Sequence, residues 1–329
     1  MSKIDFLAIG DTVVDAFIKI KEAQVLPDTD GMGEMLCMSY ADKIPYESIE
    51  IIPAVGNSAN AAVSASRLGL SSGLISNLGK DENGKLCLDV FKKEKVDTKL
   101  ISIEENKITN FHYVLWYDKD RTILIKHEIY DYKLPKFPAP KWIYLSSLGE
   151  QSLHLHLEIE NYLKENPDVK LAFQPGTFQM KFGYDKIKGI YERSNIFFCN
   201  VEEAQKILGI TERDVKGLLR GISNLGPQIT VITDGPNGVY VFDKKNYFFL
   251  AGYPDQKPAY ERTGAGDAFS STFTVAIILG RELEDALKWA SLNAVSIVQQ
   301  VGAQKGLLTR PALEQQVLKA RKSWKMKKI

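Results

Sequence analysis

Apolar and polar positions follow two rhythms along most of the chain. Short apolar runs bounded by glycine or polar turns predict strands over 4–9, 73–78, 141–146, 170–173, 196–199 and 229–233. Helical spacing fills most of the gaps, over 58–68 (a run of small residues closed by Gly69), 84–95, 152–165 and 202–208. This alternation predicts an α/β fold, a mostly parallel sheet with helices on both faces. Two segments break the rhythm. About 16–52 and 108–130 read as short alternating strands, the second a hairpin of 111–117 and 122–126 around Asp118-Lys119-Asp120. Together they predict a small separate sheet, either a cover over a ligand cleft or an edge sheet that only joins two copies of the chain.

Composition narrows the classes. The 329 residues carry Lys+Arg 42 against Asp+Glu 41, a formal charge of +1, without the broad positive footprint of a nucleic-acid binder. Hydrophobic residues at 44% and charged residues at 25% are globular values. Cys37, Cys87 and Cys199 lie far apart with no CxxC, so neither a disulfide framework nor a zinc site is expected, and a reducing compartment is. Apolar stretches such as 275–279 fall far short of the roughly 18 residues of a membrane span. With the first strand ending at Gly10-Asp11 and no export signal visible, a cytoplasmic location is expected.

Candidate chemistry concentrates in four segments. Thr263-Gly264-Ala265-Gly266-Asp267 leads into an apolar helix expected over 270–279. Glycines ahead of a helix leave backbone N–H groups unpaired at the positive end of its dipole, an anion cradle with Asp267 at its mouth. An ordinary capping Asp explains the same letters. Asn200-Val201-Glu202-Glu203 follows a predicted strand, where open α/β sheets bind ligands, and also spells a capping box. Thr233 to Gly238 reads as a hairpin turn, and Val55-Gly56-Asn57-Ser58-Ala59-Asn60 as a helix start.

In combination these segments resemble the PfkB, or ribokinase-like, family of carbohydrate and nucleoside kinases. The resemblance runs from Gly10-Asp11 and Asp15, through 55–60, 200–203, 233–238 and 263–267, to Gly302-Ala303. It implies one ribokinase-like α/β domain over 1–329, with a central mostly parallel sheet, flanking helices and a small β lid from the two insertions. It also implies ATP-dependent phosphorylation of a sugar hydroxyl with Mg²⁺, a nucleoside kinase or a non-catalytic ligand-binding member being the alternatives. Asp267 matches the base, and Gly264, Ala265 and Gly266 the amides that hold the transferring phosphoryl group. Asn200 and Glu203 match residues that organise Mg²⁺ and phosphates through water; Thr233, Gly235 and Gly238 match the nucleotide side. Asp15, Gly56, Asn57 and Asn60 match the sugar side, where a strand-end turn and a helix cap explain Asp15 and Asn57 equally well. Arg121 matches a basic lid position and Glu150 a further substrate position, and Arg121 reads equally as a solvated turn residue. The paired β insertions themselves prompt a further expectation, that the lid sheet closes over substrate and also pairs two copies of the chain as a homodimer.

Departures from the signature carry expectations of their own. Glu261 replaces the usual Asp of a potassium site, Arg262 a small residue, and Val55 a glycine beside the sugar segment. Gly79 to Leu86 nearly spells a P-loop, but Leu86 stands where the Mg²⁺-binding hydroxyl belongs, so a G-x-D-x-x-G turn is expected. His154 and His156 point to different helix faces and are expected at the surface. The basic residues from Lys319 to Lys328 follow a helix beginning near Pro311 and suit its C-terminal dipole. Phe111, Tyr113, Trp116 and Tyr117 are expected to pack a sheet face.

Overall fold

The computed structural model describes residues 4–28, 34–118, 120–254 and 262–329. The chain opens with β1 (Phe6–Ile9), β2 (Val13–Ile20), β3 (Gln24–Pro27), β4 (Glu34–Cys37) and β5 (Tyr46–Val55), followed by α1 (Asn57–Arg67). Next come β6 (Ser72–Gly79), α2 (Glu82–Lys93), β7 (Ile101–Glu104), β8 (Asn110–Tyr117) and β9 (Asp120–Leu124). The middle holds β10 (Trp142–Leu145), α3 (Leu153–Glu165), β11 (Lys170–Phe173), α4 (Thr177–Phe182), α5 (Lys188–Arg193) and β12 (Ile196–Asn200). It continues through α6 (Val201–Leu208), α7 (Val215–Asn224), β13 (Ile229–Thr233), β14 (Gly238–Phe242) and β15 (Tyr247–Ala251). Last are α8 (Ala265–Ile278), α9 (Leu283–Ile297), α10 (Arg310–Lys319) and β16 (Lys327–Lys328).

One ten-stranded sheet runs β16-β15-β14-β13-β12-β11-β10-β1-β6-β7, parallel from β13 to β7 and antiparallel at the other end. Its inner strands β1, β6 and β10 to β13 are largely buried on both faces, successive residues pointing into opposite cores. Phe6 and Ala8 belong to the core beneath α1, α8 and α9, while Leu7 and Ile9 belong to the core beneath α3, α5 and α7. The strand order reverses at β1 and β10, so the carboxyl ends of these strands open a crevice at the switch point. Helix α1 packs against α8 through small side chains, and Ser64, Ala65 and Thr272 are buried there.

The two irregular segments form the expected second sheet, in the order β5-β2-β8-β9, and Gln24–Pro27 with Glu34–Cys37 adds a separate two-stranded ribbon. Three expectations need correction. Helix α8 begins at Ala265 with Gly264 as its N-cap, so Gly266 and Asp267 lie within its first turn rather than before it. His156 is fully buried: Ser152 O lies 2.8 Å from its Nδ1 and Gln179 Nε2 3.3 Å from its Nε2, and only His154 is exposed. The two histidines do diverge, but the apolar stripe of α3 carries His156 inward with Leu155 and Ile159. The basic tail does not simply trail from α10, because Lys327–Lys328 pairs with Phe248 and Phe249 as the edge of the large sheet. At the G-x-D-x-x-G turn, Asp81 accepts the Gly84 N–H as the N-cap of α2, in keeping with that reading and against a P-loop.

Candidate active site

The buried helix α8 aims its amino end into the crevice. Gly264 adopts φ +79, and a Cβ there would sit 2.3 Å from the Ala303 Cβ, so the tight entry to the helix requires glycine. The N-cap residue Gly264 has no side chain with which to cap this end. Among the described residues the Ala265 N–H reaches Arg262 O at a long 3.4 Å, and the only atom within 4 Å of a Cβ built on Gly266 is Gln174 Nε2, at 3.7 Å. The first turn of α8 therefore presents N–H groups toward open space, the arrangement that favours an anion.

Asp267, in the same turn, is 7% exposed and held by three side-chain amides. Asn57 and Asn60 of α1 donate to its two carboxylate oxygens at 2.7 and 2.8 Å, and Gln174, just past β11, donates at 3.2 Å. The Tyr144 hydroxyl hydrogen-bonds Gln174 Oε1, which turns the Gln174 NH₂ toward the carboxylate. Gln304 donates to both Asn60 Oδ1 and Ala54 O, fixing the Asn60 amide in the same way. Burial pushes the Asp267 carboxyl up; the donors from Asn60, Gln174 and Asn57 pull against that, and the charge of Asp15 adds to the rise.

Asn57 is thus neither a helix cap nor turned to solvent, since the N-cap of α1 is Gly56. Gly56 itself adopts φ +112, and a Cβ would meet Asp11 O at 2.6 Å. Asn200 and Glu203 form the capping box in full, with Asn200 N–H to Glu203 Oε2 at 2.9 Å and Glu203 N–H to Asn200 Oδ1 at 2.7 Å. Burial raises the Glu203 carboxyl, the Asn200 N–H opposes this, and the charge of Asp267 raises it further, so both acids face the same region. Thr233, Gly235 and Gly238 line a cavity of about 440 Å³, along with Tyr253, Phe269 and Gly266. The hairpin reading of this segment also holds, because β13 and β14 are antiparallel across a 3₁₀ turn. Arg262 stands on the same cavity wall.

Asp15 lies within β2 rather than in a strand-end turn, directly opposite His112 of β8. Its Oδ1 is 3.5 Å from His112 Nδ1. Beside this pair, His127 Nδ1 is 3.1 Å from Asp11 Oδ2, and the Tyr132 hydroxyl donates to the Asp11 carboxylate at 3.0 Å. The two imidazoles meet edge-on at 5.3 Å, and Phe178 closes against His127 at 5.5 Å. Arg121 pairs with Trp116 on the same sheet, four residues along β8 from His112, or about 13 Å at the rise of a strand. Glu150 is exposed at the start of a 3₁₀ turn and makes no hydrogen bond or ion pair among the described residues. Glu261 lies outside the described residues.

Sequence reasoning missed Gln174, His112 and His127. Gln174 could have been found, since it follows a predicted strand at the carboxyl edge where ligands bind. His112 and His127 carry no local signature.

The pfkB family carbohydrate kinase model matches residues 52–310. The chain belongs to this family. It is 25% identical over 264 residues to the ribokinase of Haemophilus influenzae, an alignment covering 78% of this chain and 84% of that one. It is likewise 25% identical over 264 residues to the 5-dehydro-2-deoxygluconokinase of Halalkalibacterium halodurans, covering 74% and 79%. The structure of Arabidopsis thaliana ribokinase complexed with ribose and ATP superposes with a TM-score of 0.77 at 19% identity, covering 97% of this chain and all of that one. The ribokinase fold and a carbohydrate-kinase activity, phosphoryl transfer to a sugar hydroxyl, therefore hold for this pfkB member, and the nucleoside alternative gains no support over it. Among the described residues no helix is long and apolar enough to cross a membrane.

Proposed function

We propose that this pfkB kinase uses ATP, that Asp267 is its catalytic base, and that the first turn of α8 holds the transferring phosphoryl group. The observation that carries the reading is the juxtaposition, in one helical turn, of open N–H groups and a buried carboxylate. Phosphoryl transfer demands in-line positioning and stabilisation of charge at the transferring group more than covalent chemistry. A raised carboxyl is a better proton acceptor near neutrality than an exposed Asp, and the amides keep it aligned. In this reading the acceptor hydroxyl gives its proton to Asp267 as its oxygen bonds to phosphorus and the nucleoside diphosphate leaves. The 440 Å³ cavity, walled by Tyr253 and Phe269, accommodates a nucleobase, with Thr233 and Gly235 toward the phosphates.

Mg²⁺ carried on nucleotide phosphates needs only one or two protein carboxylates, since it keeps much of its water. Glu203 supplies one, and no cluster of three metal-binding side chains exists among the described residues, so Glu203 would act through water. Bound there, the ion would neutralise phosphate charge. Glu261 keeps an acidic group at the place of a potassium site, and comparing turnover in potassium with that in tetramethylammonium tests for it. Asp15 is assigned to acceptor hydroxyls, with Gly56 shaping that end. The outer face of the small sheet presents a row from Ile51 through Ala16 and Tyr113 to Leu124, with Ile51, Tyr113 and Leu124 about half exposed, and we assign it to a homodimer through the lid. Sedimentation of Ile51→Glu against the parent chain tests that assembly; identical monomers would remove it. The kinase reading is tested by ADP release over a panel of pentoses, hexoses and nucleosides, and release driven by nucleosides alone would overturn it.

A further inference from the structure

Buried polar atoms without partners are rare in folded proteins and mark places where something else binds. Three that make no hydrogen bond lie on adjacent strands of the small sheet: Asp15 Oδ1, which only approaches His112 Nδ1 at 3.5 Å, Asn110 Nδ2 and His112 Nε2. Asp15 and Asn110 are 7% and 2% exposed. Asp15 stands opposite His112 across β2 and β8, and Asn110, two residues before His112, points from the same side of its strand. The other oxygen-bearing end of the Asn110 amide is already committed, Oδ1 accepting the Glu128 N–H at 2.7 Å, so its free NH₂ has a fixed direction.

We propose that His112 and Asn110 determine which acceptor this kinase takes: with Asp15 they read two neighbouring hydroxyls of a neutral sugar and turn away sugar acids. The inference rests on the kinase reading above. A hydroxyl both donates and accepts, so one can give its proton to Asp15 while accepting from His112, and its neighbour can accept from Asn110. The charge balance sets the neutrality. Asp11, Asp15 and Asp267 put three carboxylates around the acceptor site against two imidazoles, so the sum stays negative even with both rings protonated. Lys107 is engaged with the Glu128 carboxylate at 3.5 Å. A carboxylate or phosphate on the acceptor would therefore meet net repulsion at close range.

The test uses the full chain with ribose, fructose and glucose set against gluconate and glucose 6-phosphate, read by ADP release, with calorimetry of ATP binding as a folding control. The parent chain is expected to favour the best neutral sugar over either acid by about 100-fold or more in kcat/KM. His112→Leu should raise the acceptor KM about 10- to 100-fold, the range for orphaning a buried polar partner, with kcat within about threefold and the ATP KM unchanged. His112→Gln should recover most of the loss. Asn110→Asp, which keeps the acceptor for Glu128 and deletes the free donor, should raise the acceptor KM independently, so the test survives if His112→Leu fails to fold. An acid taken in preference to every neutral sugar, or a properly folded His112→Leu and Asn110→Asp with unaltered acceptor KM, would overturn the proposal while leaving the kinase reading intact. ADP release that no sugar stimulates would instead sink the kinase reading and this proposal together.

Discussion

The two ends of the crevice are built on different principles. In the function proposed above, recognition at the α8 end is done by backbone: N–H groups of one helical turn, opened by Gly264 and Gly266, with Asp267 beside them. At the small-sheet end it is done by side chains that different strands and loops bring together, Asp15 from β2, His112 from β8 and Asp11 from the turn after β1, with His127 beyond β9. A backbone site leaves a compact trace in sequence because it requires glycine at particular torsions. A side-chain site assembled in register leaves none, because its members are contiguous only after the sheet has formed. Phosphate is common to the reactions of such enzymes and the acceptor is not, so the legible end is the shared one.

The largest effect expected at the backbone end is from Asp267→Asn. Turnover should fall about 10²- to 10⁴-fold, as for loss of a positioned base, with ATP binding by calorimetry retained. An unchanged rate would mean that the base lies elsewhere and would erase the contrast between the two ends. The two cradle glycines should then separate. Gly266→Ala faces open space, so the thermal midpoint should hold or rise while turnover falls about 10- to 100-fold from obstruction of the cradle. Gly264→Ala forces a side chain into left-handed backbone against Ala303 and should cost about 1–2 kcal/mol of stability or more, visible as a lowered midpoint.

Beneath the acceptor end, burial holds the His156 imidazole down at about 4. The folded value lies below the unfolded one, so the neutral ring stabilises the protein at neutral pH and that contribution is lost as pH falls from about 6.5 toward 4. Denaturant unfolding should show a loss on the order of 2 kcal/mol between pH 7 and 5, and His156→Gln should flatten it. The smallest effect concerns Gln174. Removing its donor in Gln174→Leu should move the acidic limb of the pH–rate profile upward, because one of the bonds that favours the ionised Asp267 is gone. A limb that stays in place would reduce Gln174 to packing.

Much of the fold was legible. The strands at 170–173 and 229–233 match β11 and β13 residue for residue, and the disruption of rhythm at 16–52 and 108–130 corresponds to the second sheet. The start of α8 was misplaced because glycine weighs against helix in sequence, whereas here the αL turn at Gly264 launches the helix directly. His156 was misjudged because a polar ring can be fully satisfied in a core by a helix carbonyl and Gln179. Asn57 and Asn60 stand together at a helix start that the sequence marks, but their hold on Asp267 depends on α1 lying against α8, which no local pattern encodes.

The strand at Lys327–Lys328 has a consequence for handling the molecule. Trp324, just ahead of it, donates to Ala251 O at 2.7 Å and rests on Tyr253 at 4.7 Å, and Tyr253 is a wall of the cavity assigned to the nucleobase. Trp324 therefore buttresses one wall of that cavity from behind. On the proposed assignment, loss of Trp324 would be felt first as weakened grip on nucleotide, before any change at the acceptor end.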